Sequence, residues 1–473
     1  MDKGITVCFL ARPSFDVFST ELYSYIKNNL DNCFSGIFIV SNKKEYDFVA
    51  NKIPNRIIYN VSLFMKEHWT EFDLDSLAFY EKKYECAPIW KYIYSDRFLI
   101  ERSYNYCVHI AVGLFRFFEK IFDDNKVDFY YSETIATLQC YIAYLVGKKR
   151  HVQYVSQMCA RGNLDFKYHY FVNDEFQHDA GLQDNYLGLQ YSKEEWNRAD
   201  TYLSDFEKSF TPPESEKVVK TYPKINKNFV LGPIKRFIKS FDKDLNDPCS
   251  YMYYKNYKDY TNDIKFWVNF QKYKHCYISP DYSRKFVYYP LHFQPEASTC
   301  VCAEKYEKQL FFIDSLAKSL PADVVLYVKE HHAQLGHRDP HFYQEIKKYP
   351  NVFLIDPFES SRKMVEKSYA VVTLTGTVAY EAMLLRKPVI MGGSMVFDTA
   401  PGIVKANDIY GEFMNIMKNW VQPSRDDVIK YLCALFRTYK RGNAYSQNYH
   451  EYLSDNVQLL GDSLYQYLRE NMN

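Results

Sequence analysis

The sequence contains no apolar run of about 18 residues, the length from which a membrane-spanning helix is inferred. It opens with Met1-Asp2-Lys3-Gly4 and passes at once into a short apolar stretch typical of a strand, without the pattern of a signal peptide. We therefore expect a cytoplasmic protein that is not integral to a membrane.

An excess of charge of one sign is also missing, because 59 Lys and Arg stand against 58 Asp and Glu. This balance excludes a general electrostatic attraction to nucleic acid, so no nucleic-acid partner is expected. The eleven cysteines are scattered, and Cys300 and Cys302 lack the second pair that a zinc site needs. We expect reduced thiols, no bound metal and no cofactor.

The length of 473 residues suits two domains rather than one core. Strand and helix patterns alternate in two stretches, which predicts Rossmann-like α/β domains at 1–172 and 285–420 that face a cleft. The segment 173–284 breaks this rhythm, notably at Thr211-Pro212-Pro213, and is predicted to be a mainly helical insertion or linker. The segment 421–473 is predicted to be helical, without strands, and to pack back on the first domain.

Two carboxylates of the first domain are candidates for a general base. Glu133 follows directly after the predicted strand 127–131, and in a parallel sheet the carboxyl ends of the strands open onto the ligand cleft. Asp16, after the first predicted strand and the loop Ala11 to Ser14, is the second candidate. The alternative is that Glu133 is a surface or helix-capping carboxylate.

An amphipathic pattern runs from Phe229 to Lys243 and combines apolar residues with Lys235, Arg236 and Lys239. Pro233 is expected near the beginning of this helix. Such a helix either rests on an anionic membrane surface, here the inner membrane, or packs on its own domain with a solvated basic face.

The stretch Ala370 to Gly393 reads as strand, tight turn, helix and strand. Gly376 suits a turn where the backbone approaches a ligand, and Thr375 and Thr377 lie where a helix begins and exposes N–H groups that favour phosphate. Glu381, one helical turn after Thr377, is placed to bind ribose hydroxyls. The alternative is an ordinary strand-helix turn with Thr377 as the N-cap.

Two further loops follow predicted strands of the second domain, and the three loops are expected to converge on one rim around a nucleotide phosphate. The loop after strand 285–291 and the loop after strand 324–328 carry polar side chains with this potential: His292, Gln294, Glu296, Ser298, Lys329, His331 and Arg338. For His331 alone, a structural histidine is the alternative.

The ordered set YYPLHFQPEAST, VKEHHAQLGHR and VVTLTGTVAYEAMLLRKPVI resembles the bacterial capsular polysaccharide synthesis family over about 285–393. That family includes Kdo (3-deoxy-manno-octulosonate) transferases of two-domain GT-B form, which take the sugar from a CMP donor. The resemblance implies that His331 matches the family's phosphate-contacting histidine, while His332 stands where the family has proline. The pattern from Thr375 to Glu381 also resembles nucleotide-binding turns of UDP-sugar epimerases.

The resemblance and the residues together predict a metal-independent glycosyltransferase of capsular or surface polysaccharide. A CMP-linked donor is favoured over a UDP-sugar, and the acceptor is a glycan or a lipid-linked glycan. His331, Arg338 and the turn at 375–377 are expected to stabilise the charge of the departing phosphate. The alternatives are a UDP-sugar transferase, a nucleotide-sugar epimerase or hydrolase, and a non-catalytic polysaccharide assembly protein.

Overall fold

A computed structural model describes residues 4–12, 15–73, 75–86, 88–100, 102–164, 166–182, 186, 190–209, 222, 227–239, 241, 259–445 and 454–472. Pro13 and Ser14 of the first loop, and the break at Thr211-Pro212-Pro213, lie outside the described residues. The predicted fold class is confirmed: two Rossmann-like α/β units carry helices inserted between them and further helices at the C-terminus.

The described strands are β1 (Thr6–Leu10), β2 (Ser35–Val40), β3 (Ile57–Asn60), β4 (Phe129–Tyr131), β5 (Gln153–Cys159), β6 (Tyr168–Val172), β7 (Lys285–Pro290), β8 (Val324–Lys329), β9 (Val352–Ile355), β10 (Ala370–Thr373), β11 (Val389–Met391), β12 (Ile403–Lys405) and β13 (Lys440–Arg441). The α-helices from the N-terminus to the first domain's end are α1 (Asp16–Tyr25), α2 (Lys43–Lys52), α3 (Val61–His68), α4 (Ser76–Tyr84), α5 (Trp90–Ser95), α6 (Tyr104–Asp124) and α7 (Leu138–Lys149). They are followed by α8 (Lys193–Lys208), α9 (Lys227–Lys239), α10 (Asp259–Tyr273), α11 (Ala297–Cys300), α12 (Gln309–Ser319), α13 (Pro340–Ile346), α14 (Ser361–Lys367), α15 (Val378–Leu384), α16 (Ile409–Asn419), α17 (Arg425–Thr438) and α18 (Asn456–Glu470).

The first sheet has the strand order β13-β6-β5-β4-β1-β2-β3. Strands β5, β4, β1, β2 and β3 are parallel, while β6 and β13 add antiparallel pairs at one edge. Helices α6 and α7 cover one face, and α1 with α18 covers the other. Because β5, β4 and β1 are neighbours, the residues that follow them are brought to one rim.

The second sheet has the order β12-β11-β10-β7-β8-β9 and is parallel throughout. Apart from the partly exposed edge strand β12, its strands are mostly buried, as expected when helices cover both faces. Helices α12, α13 and α16 pack on one face, and α8, α15 and α17 pack on the other. The order places β10, β7 and β8 side by side, so the three predicted loops arise from adjacent strands.

The C-terminal segment differs from the prediction in two ways. It contains a strand, because β13 pairs with β6 of the first sheet, whereas 421–473 was predicted to be free of strands. Helix α18 packs on the first domain, where Gly461 lies directly against Tyr25 and the Tyr25 hydroxyl donates to Asp462 at 2.8 Å. Helix α17 joins a core that combines α8 and the second sheet with Tyr170 and Val172 of β6.

The amphipathic helix α9 begins at Lys227, so Pro233 lies in its interior and not near its beginning. Phe229 packs on Trp267 of α10, with 6.3 Å between the ring centroids. Five apolar side chains of this segment are nevertheless 46–68% exposed: Leu231, Ile234, Phe237, Ile238 and Phe241. If the helix packed on its own domain, its basic face was expected to face the solvent and its apolar face to be buried. The structure instead leaves these five apolar side chains exposed.

Candidate active site

Hydrogen bonds join the three loops of the second sheet into one rim. This series of hydrogen bonds begins at the Gly376 N–H, which donates to Thr373 Oγ1 at 3.1 Å. Thr373 Oγ1 in turn lies 3.1 Å from His292 Nε2, which also accepts the Leu374 N–H at 3.3 Å. Thr375 Oγ1 donates to the Ser298 carbonyl at 2.7 Å. The predicted convergence of the loops after β7 and β10 is therefore a direct physical connection.

His292 is a buried, neutral part of this connection. Desolvation lowers its pKa to about 3, and the nearby charges of His331 and Arg338 act in the same direction. Its backbone N–H donates to Gln309 Oε1 at 2.8 Å, and its carbonyl accepts from Gln309 Nε2 at 3.1 Å. The structure places His292 inside the rim, where it holds β7 against β10.

Packing within the protein constrains Gly376. A Cβ atom at this position would lie 2.8 Å from Thr373 Oγ1 and 3.2 Å from His292 Cε1. Thr377 stands at the N-cap of α15, but its side chain makes no capping hydrogen bond. The structure thus gives a packing reason for the glycine, while the approach of a ligand to this turn stays a prediction.

His331 lies at the rim directly after β8 and is partly exposed. Its Nδ1 accepts the Ala333 N–H at 3.2 Å, which leaves the ring proton of the neutral imidazole on Nε2. The ring stacks on His332, with centroids 4.8 Å apart, and lies 5.9 Å from the ring of Phe293. These contacts orient the His331 ring between two loops, with Nε2 as the atom that can donate a hydrogen bond.

Arg338 is occupied by a carboxylate of its own domain. Its Nε donates to Glu330 Oε2 at 2.7 Å and its Nη2 to Glu330 Oε1 at 2.9 Å, with both side chains buried. Nη2 also donates to the His292 carbonyl at 3.1 Å. The ion pair and the bond to the His292 carbonyl fasten the loop after β8 to the loop after β7, and the phosphate contact of Arg338 stays a prediction.

Three other predicted residues also contact neighbouring parts of the protein. The Lys329 ammonium is buried and donates to Ser361 Oγ at 2.6 Å. Gln294 exchanges hydrogen bonds with Gln334 at 3.3 and 3.2 Å, which links the first and second loops. Glu381, on α15, is only 4% exposed. The structure does not open Lys329 or Glu381 to the solvent side of the rim.

Glu296 and Ser298 lie in the loop after β7, at the beginning of α11. Ser298 Oγ donates to Glu296 Oε2 at 3.0 Å. Desolvation raises the pKa of Glu296, while Ser298, Arg161 and Arg97 oppose that change. Since Arg161 and Arg97 belong to the first domain, Glu296 marks the place where the second rim meets the first.

The rim of the first domain is charged. Glu133 follows β4 as predicted and pairs with Arg12, which follows β1; Arg12 Nε donates to Glu133 Oε1 at 2.6 Å. Asp16 is the first residue of α1 and lies near Glu45. The guanidinium of Arg12 thus holds the carboxylate of the candidate base Glu133, and no pattern in the sequence indicated this pair.

Glu45 is a functional candidate that sequence reasoning missed. It is buried and accepts the Ser41 N–H at 2.6 Å and the Asn42 amide at 2.7 Å. Desolvation raises its pKa to about 7, and the charge of Asp16 adds to the shift. The Asn42-x-x-Glu45 spacing of a capping box was the available signal.

Arg161 is the second missed residue. It follows β5 and reaches the other domain, with its Nη2 3.8 Å from the Met395 sulfur and 3.4 Å from Gln177 Oε1. Its Nε is buried and has no hydrogen-bond partner among the described residues. Gly162, at φ +69°, makes this approach to the second domain feasible, because a Cβ there would lie 3.1 Å from Tyr380 of α15.

A second interdomain contact involves His178. Its Nδ1 lies 2.6 Å from Asp174 and its Nε2 lies 3.4 Å from Asp398, in the loop after β11. Although desolvation opposes the charged ring, the two carboxylates raise its pKa to about 9. The imidazolium therefore joins the two domains beside the cleft.

The described residues lack both a metal-binding cluster and a membrane-spanning helix. They contain no group of three His, Cys, Asp or Glu side chains that could hold a metal ion. None of their helices is long and apolar enough to cross a membrane.

Solved structures with some similarity to this chain include a β-Kdo 2,4 transferase, KpsC, of Thermosulfurimonas dismutans, at 10% identity and TM-score 0.38, covering 68% of this chain and 84% of that one. A UDP complex of S. aureus MnaA matches at 13% identity and TM-score 0.28, with 99% and 97% covered. A UDP-GlcNAc 2-epimerase of Methanocaldococcus jannaschii matches at 10% identity and TM-score 0.28, with 92% and 99% covered. All three TM-scores lie below 0.5, so these similarities decide nothing about this chain.

No curated protein matches the chain. The model of one family, described as capsule polysaccharide biosynthesis protein, matches residues 278–438. This range contains all three loops of the second rim together with α17. The match confirms the resemblance found in the sequence, and the similarity to this family extends over residues 278–438 of the chain.

Proposed function

We propose that this chain is a glycosyltransferase of capsular or surface polysaccharide assembly that uses a nucleotide-activated sugar, with a CMP-linked acidic sugar such as Kdo favoured. The observation that carries the proposal is the meeting of two parallel-sheet rims, one built from three interlocked loops and the other carrying Arg12, Glu133 and Arg161. Ligands of parallel α/β sheets bind at such carboxyl-end rims.

The departing nucleotide phosphate gains negative charge, which the site must stabilise. In this proposal His331 donates its Nε2 proton to the phosphate, and Arg161 supplies the cation from the opposite rim. Arg161 suits this role because its Nε has no hydrogen-bond partner among the described residues. Arg338 holds the rim together through Glu330 and does not contact the donor.

The acceptor hydroxyl must lose its proton to a base of the first domain. We propose Glu133 for this role, with Arg12 orienting its carboxylate. Glu45, whose pKa is about 7, is the alternative base on the same rim. Replacing each by glutamine separates the two, because only loss of the base removes transfer while leaving nucleotide binding intact.

A thermal-shift titration with CMP, CDP, UDP and GDP tests the donor, because a ligand that binds only the native state raises the apparent stability. We expect CMP to stabilise the protein most. A preference for UDP would replace the proposal by a UDP-sugar transferase or an epimerase, and turnover of a UDP-sugar without acceptor would identify the latter. No response to any nucleotide would favour a non-catalytic assembly protein.

His331→Ala should reduce nucleotide affinity or turnover about tenfold or more, since a hydrogen bond to a charged group contributes about 1.5–3 kcal/mol. Arg161→Gln should have an effect of similar size. His337→Ala is the matched control, because the His337 ring stacks on Phe266 of α10, at 3.8 Å between centroids, away from the rim. Equal and small effects of all three changes would contradict the assignment.

We also propose that the exposed face of α9 contacts an anionic membrane surface. At about 100° per residue, Leu231, Ile234, Phe237 and Ile238 fall within an arc of about 120° on one side of the helix, beside the exposed Lys235, and the exposed Phe241 lies in a turn just beyond the helix. An apolar face flanked by cations is the pattern of helices that lie in a membrane interface.

Flotation with phosphatidylglycerol-containing vesicles and with neutral phosphatidylcholine vesicles tests this contact. We expect binding to the anionic vesicles only, lost in the double variant Ile238→Ser, Phe241→Ser. The control Val421→Ser changes an apolar side chain that is 79% exposed elsewhere. A concentration-dependent dimer that the double variant abolishes would assign the face to a second copy of the chain, and unchanged flotation would exclude the membrane contact.

A further inference from the structure

We propose that a cavity between α5 and α6, here called the aromatic pocket, binds an acidic sugar unit of the acceptor glycan. The cavity has a volume of about 420 Å³. Its walls include the rings of Trp90, Tyr94 and Tyr104, its floor includes Ile93 and Leu99, and Arg102 also lines it. The inference rests on the proposed transferase function for the identity of the acceptor, while the pocket itself can be tested without a donor.

The aromatic walls are exposed to an unusual degree and are held by regular structure. Tyr94 and Tyr104 are each 63% exposed. Trp90 begins α5, with Tyr94 one turn later, and its ring stacks on Tyr104 at 5.3 Å between centroids. Ser103 caps α6 by accepting the Tyr106 N–H at 3.3 Å, so Tyr104 occupies a defined first helical position. Exposed apolar patches of this kind mark binding sites, and large rings pack well on the C–H faces of sugars.

The charge of the pocket distinguishes an acidic sugar from a neutral one or from a lipid chain. The Arg102 guanidinium lies 5.3 Å from the Tyr106 ring centroid, and its Nε donates to the Phe98 carbonyl at 3.5 Å. A guanidinium matches a carboxylate in geometry and charge, which a lipid chain does not offer.

The position of the pocket connects it to the cleft. In α5, Ser95 Oγ donates to the carbonyl of Cys300, the last residue of α11, and Lys91 pairs with Glu304 at 3.3 Å. Helix α11 follows directly after Glu296 in the donor-side rim. A glycan whose terminal hydroxyl lies in the cleft can therefore place an earlier sugar unit in the aromatic pocket.

The experiment uses the full chain and saturation-transfer NMR with three probes: the methyl glycoside of Kdo, methyl glucoside and octyl glucoside. We expect binding of the acidic glycoside with little binding of methyl glucoside. Tyr94→Ala and Arg102→Gln should each weaken the acidic probe at least tenfold. Tyr410→Ala, a 59% exposed tyrosine of α16, is the matched control and should leave binding unchanged. Denaturant unfolding of each variant verifies that the fold is retained.

Each contrary outcome has a distinct meaning. Equal binding of acidic and neutral glycosides, or insensitivity to Arg102→Gln, would overturn the acidic-sugar assignment. Stronger binding of octyl glucoside would assign the pocket to an alkyl chain, and absence of binding by the acidic probe would reject the site. If the nucleotides fail to stabilise the protein while the acidic glycoside binds as expected, the transferase proposal fails and the glycan pocket stands.

Discussion

The two rims that meet at the cleft are built on different principles. In the second domain the polar side chains are mostly used within the protein, as in the chain from Gly376 through Thr373 to His292. In the first domain the rim presents charges that follow adjacent strands, with Arg12 and Glu133 paired and Arg161 extending to the opposite domain. The rim of the second domain is interlocked by internal hydrogen bonds and a buried ion pair, whereas the rim of the first domain presents charged side chains.

The difference shows how polar residues near a site divide their roles. Arg338 and Lys329 carry charge but are buried against Glu330 and Ser361, so they position the loops. Arg161, which no motif indicated, follows β5 and extends to the second domain. Under the proposed function, the donor site takes its shape from the second domain and its electrostatics from the first.

The largest expected effect comes from breaking the second rim at its ion pair. Glu330→Gln leaves the Arg338 guanidinium buried without its counter-ion, and removing one partner of a buried pair costs about 3–5 kcal/mol. Urea unfolding monitored by circular dichroism measures the change in the free energy of unfolding.

Glu366→Gln is the control for that measurement. It removes the surface partner of Arg362, whose Nε lies 2.5 Å from a carboxylate that is 45% exposed. Exposed pairs contribute about 0–1 kcal/mol, so the loss should be small. Losses of equal size in the two variants would show that the rim does not depend on its buried charges.

A smaller effect is expected from Gly376→Ala. The added methyl group would lie 2.8 Å from Thr373 Oγ1 and disturb the bond to His292, with a cost of about 1–3 kcal/mol. Gly411→Ala is the matched change, because its Cβ meets only the Asp408 side chain, at 3.1 Å, and alanine favours a helix by about 0.5–1 kcal/mol. Thermal unfolding of both variants compares them. Retained stability in Gly376→Ala with lost nucleotide binding would restore the interpretation that this glycine serves a ligand.

The smallest effect concerns the interdomain ion pairs of His178 and depends on pH. Its folded-state pKa of about 9 exceeds the ordinary value of 6.5, so the stabilisation is complete below about pH 6.5 and is lost as the pH rises through 9. Asp174 and Asp398 face the ring, and Lys405 lies 4.0 Å from Asp398. The melting temperatures of the wild type and of His178→Gln should differ at pH 6 and converge near pH 10. A difference that stays constant across this range would refute the charged pair.

Much of the second domain could be predicted because its buried strands are continuous apolar runs bounded by turns. The strand predicted at 352–355 coincides with β9. The helix predicted from Ser360 to Lys367 matches α14 (Ser361–Lys367) within one residue, because Ser360 is its N-cap. Helices α4 and α5 were not predicted, since the stretch from Trp69 to Arg97 mixes polar and aromatic residues without a clear period. Their aromatic side chains acquire a pattern only by packing on α6 and α7.

By itself the sequence determined the alternation of strands and helices, the three loops and their family resemblance, because hydrophobic periodicity and turn residues are local properties. The tertiary structure alone decided how the charged side chains are paired within the protein. That Arg338 pairs with Glu330, and that Arg161 reaches the second domain, depends on strand order and on the approach of the two rims. Those distances join residues far apart in the chain, and no local pattern encodes them.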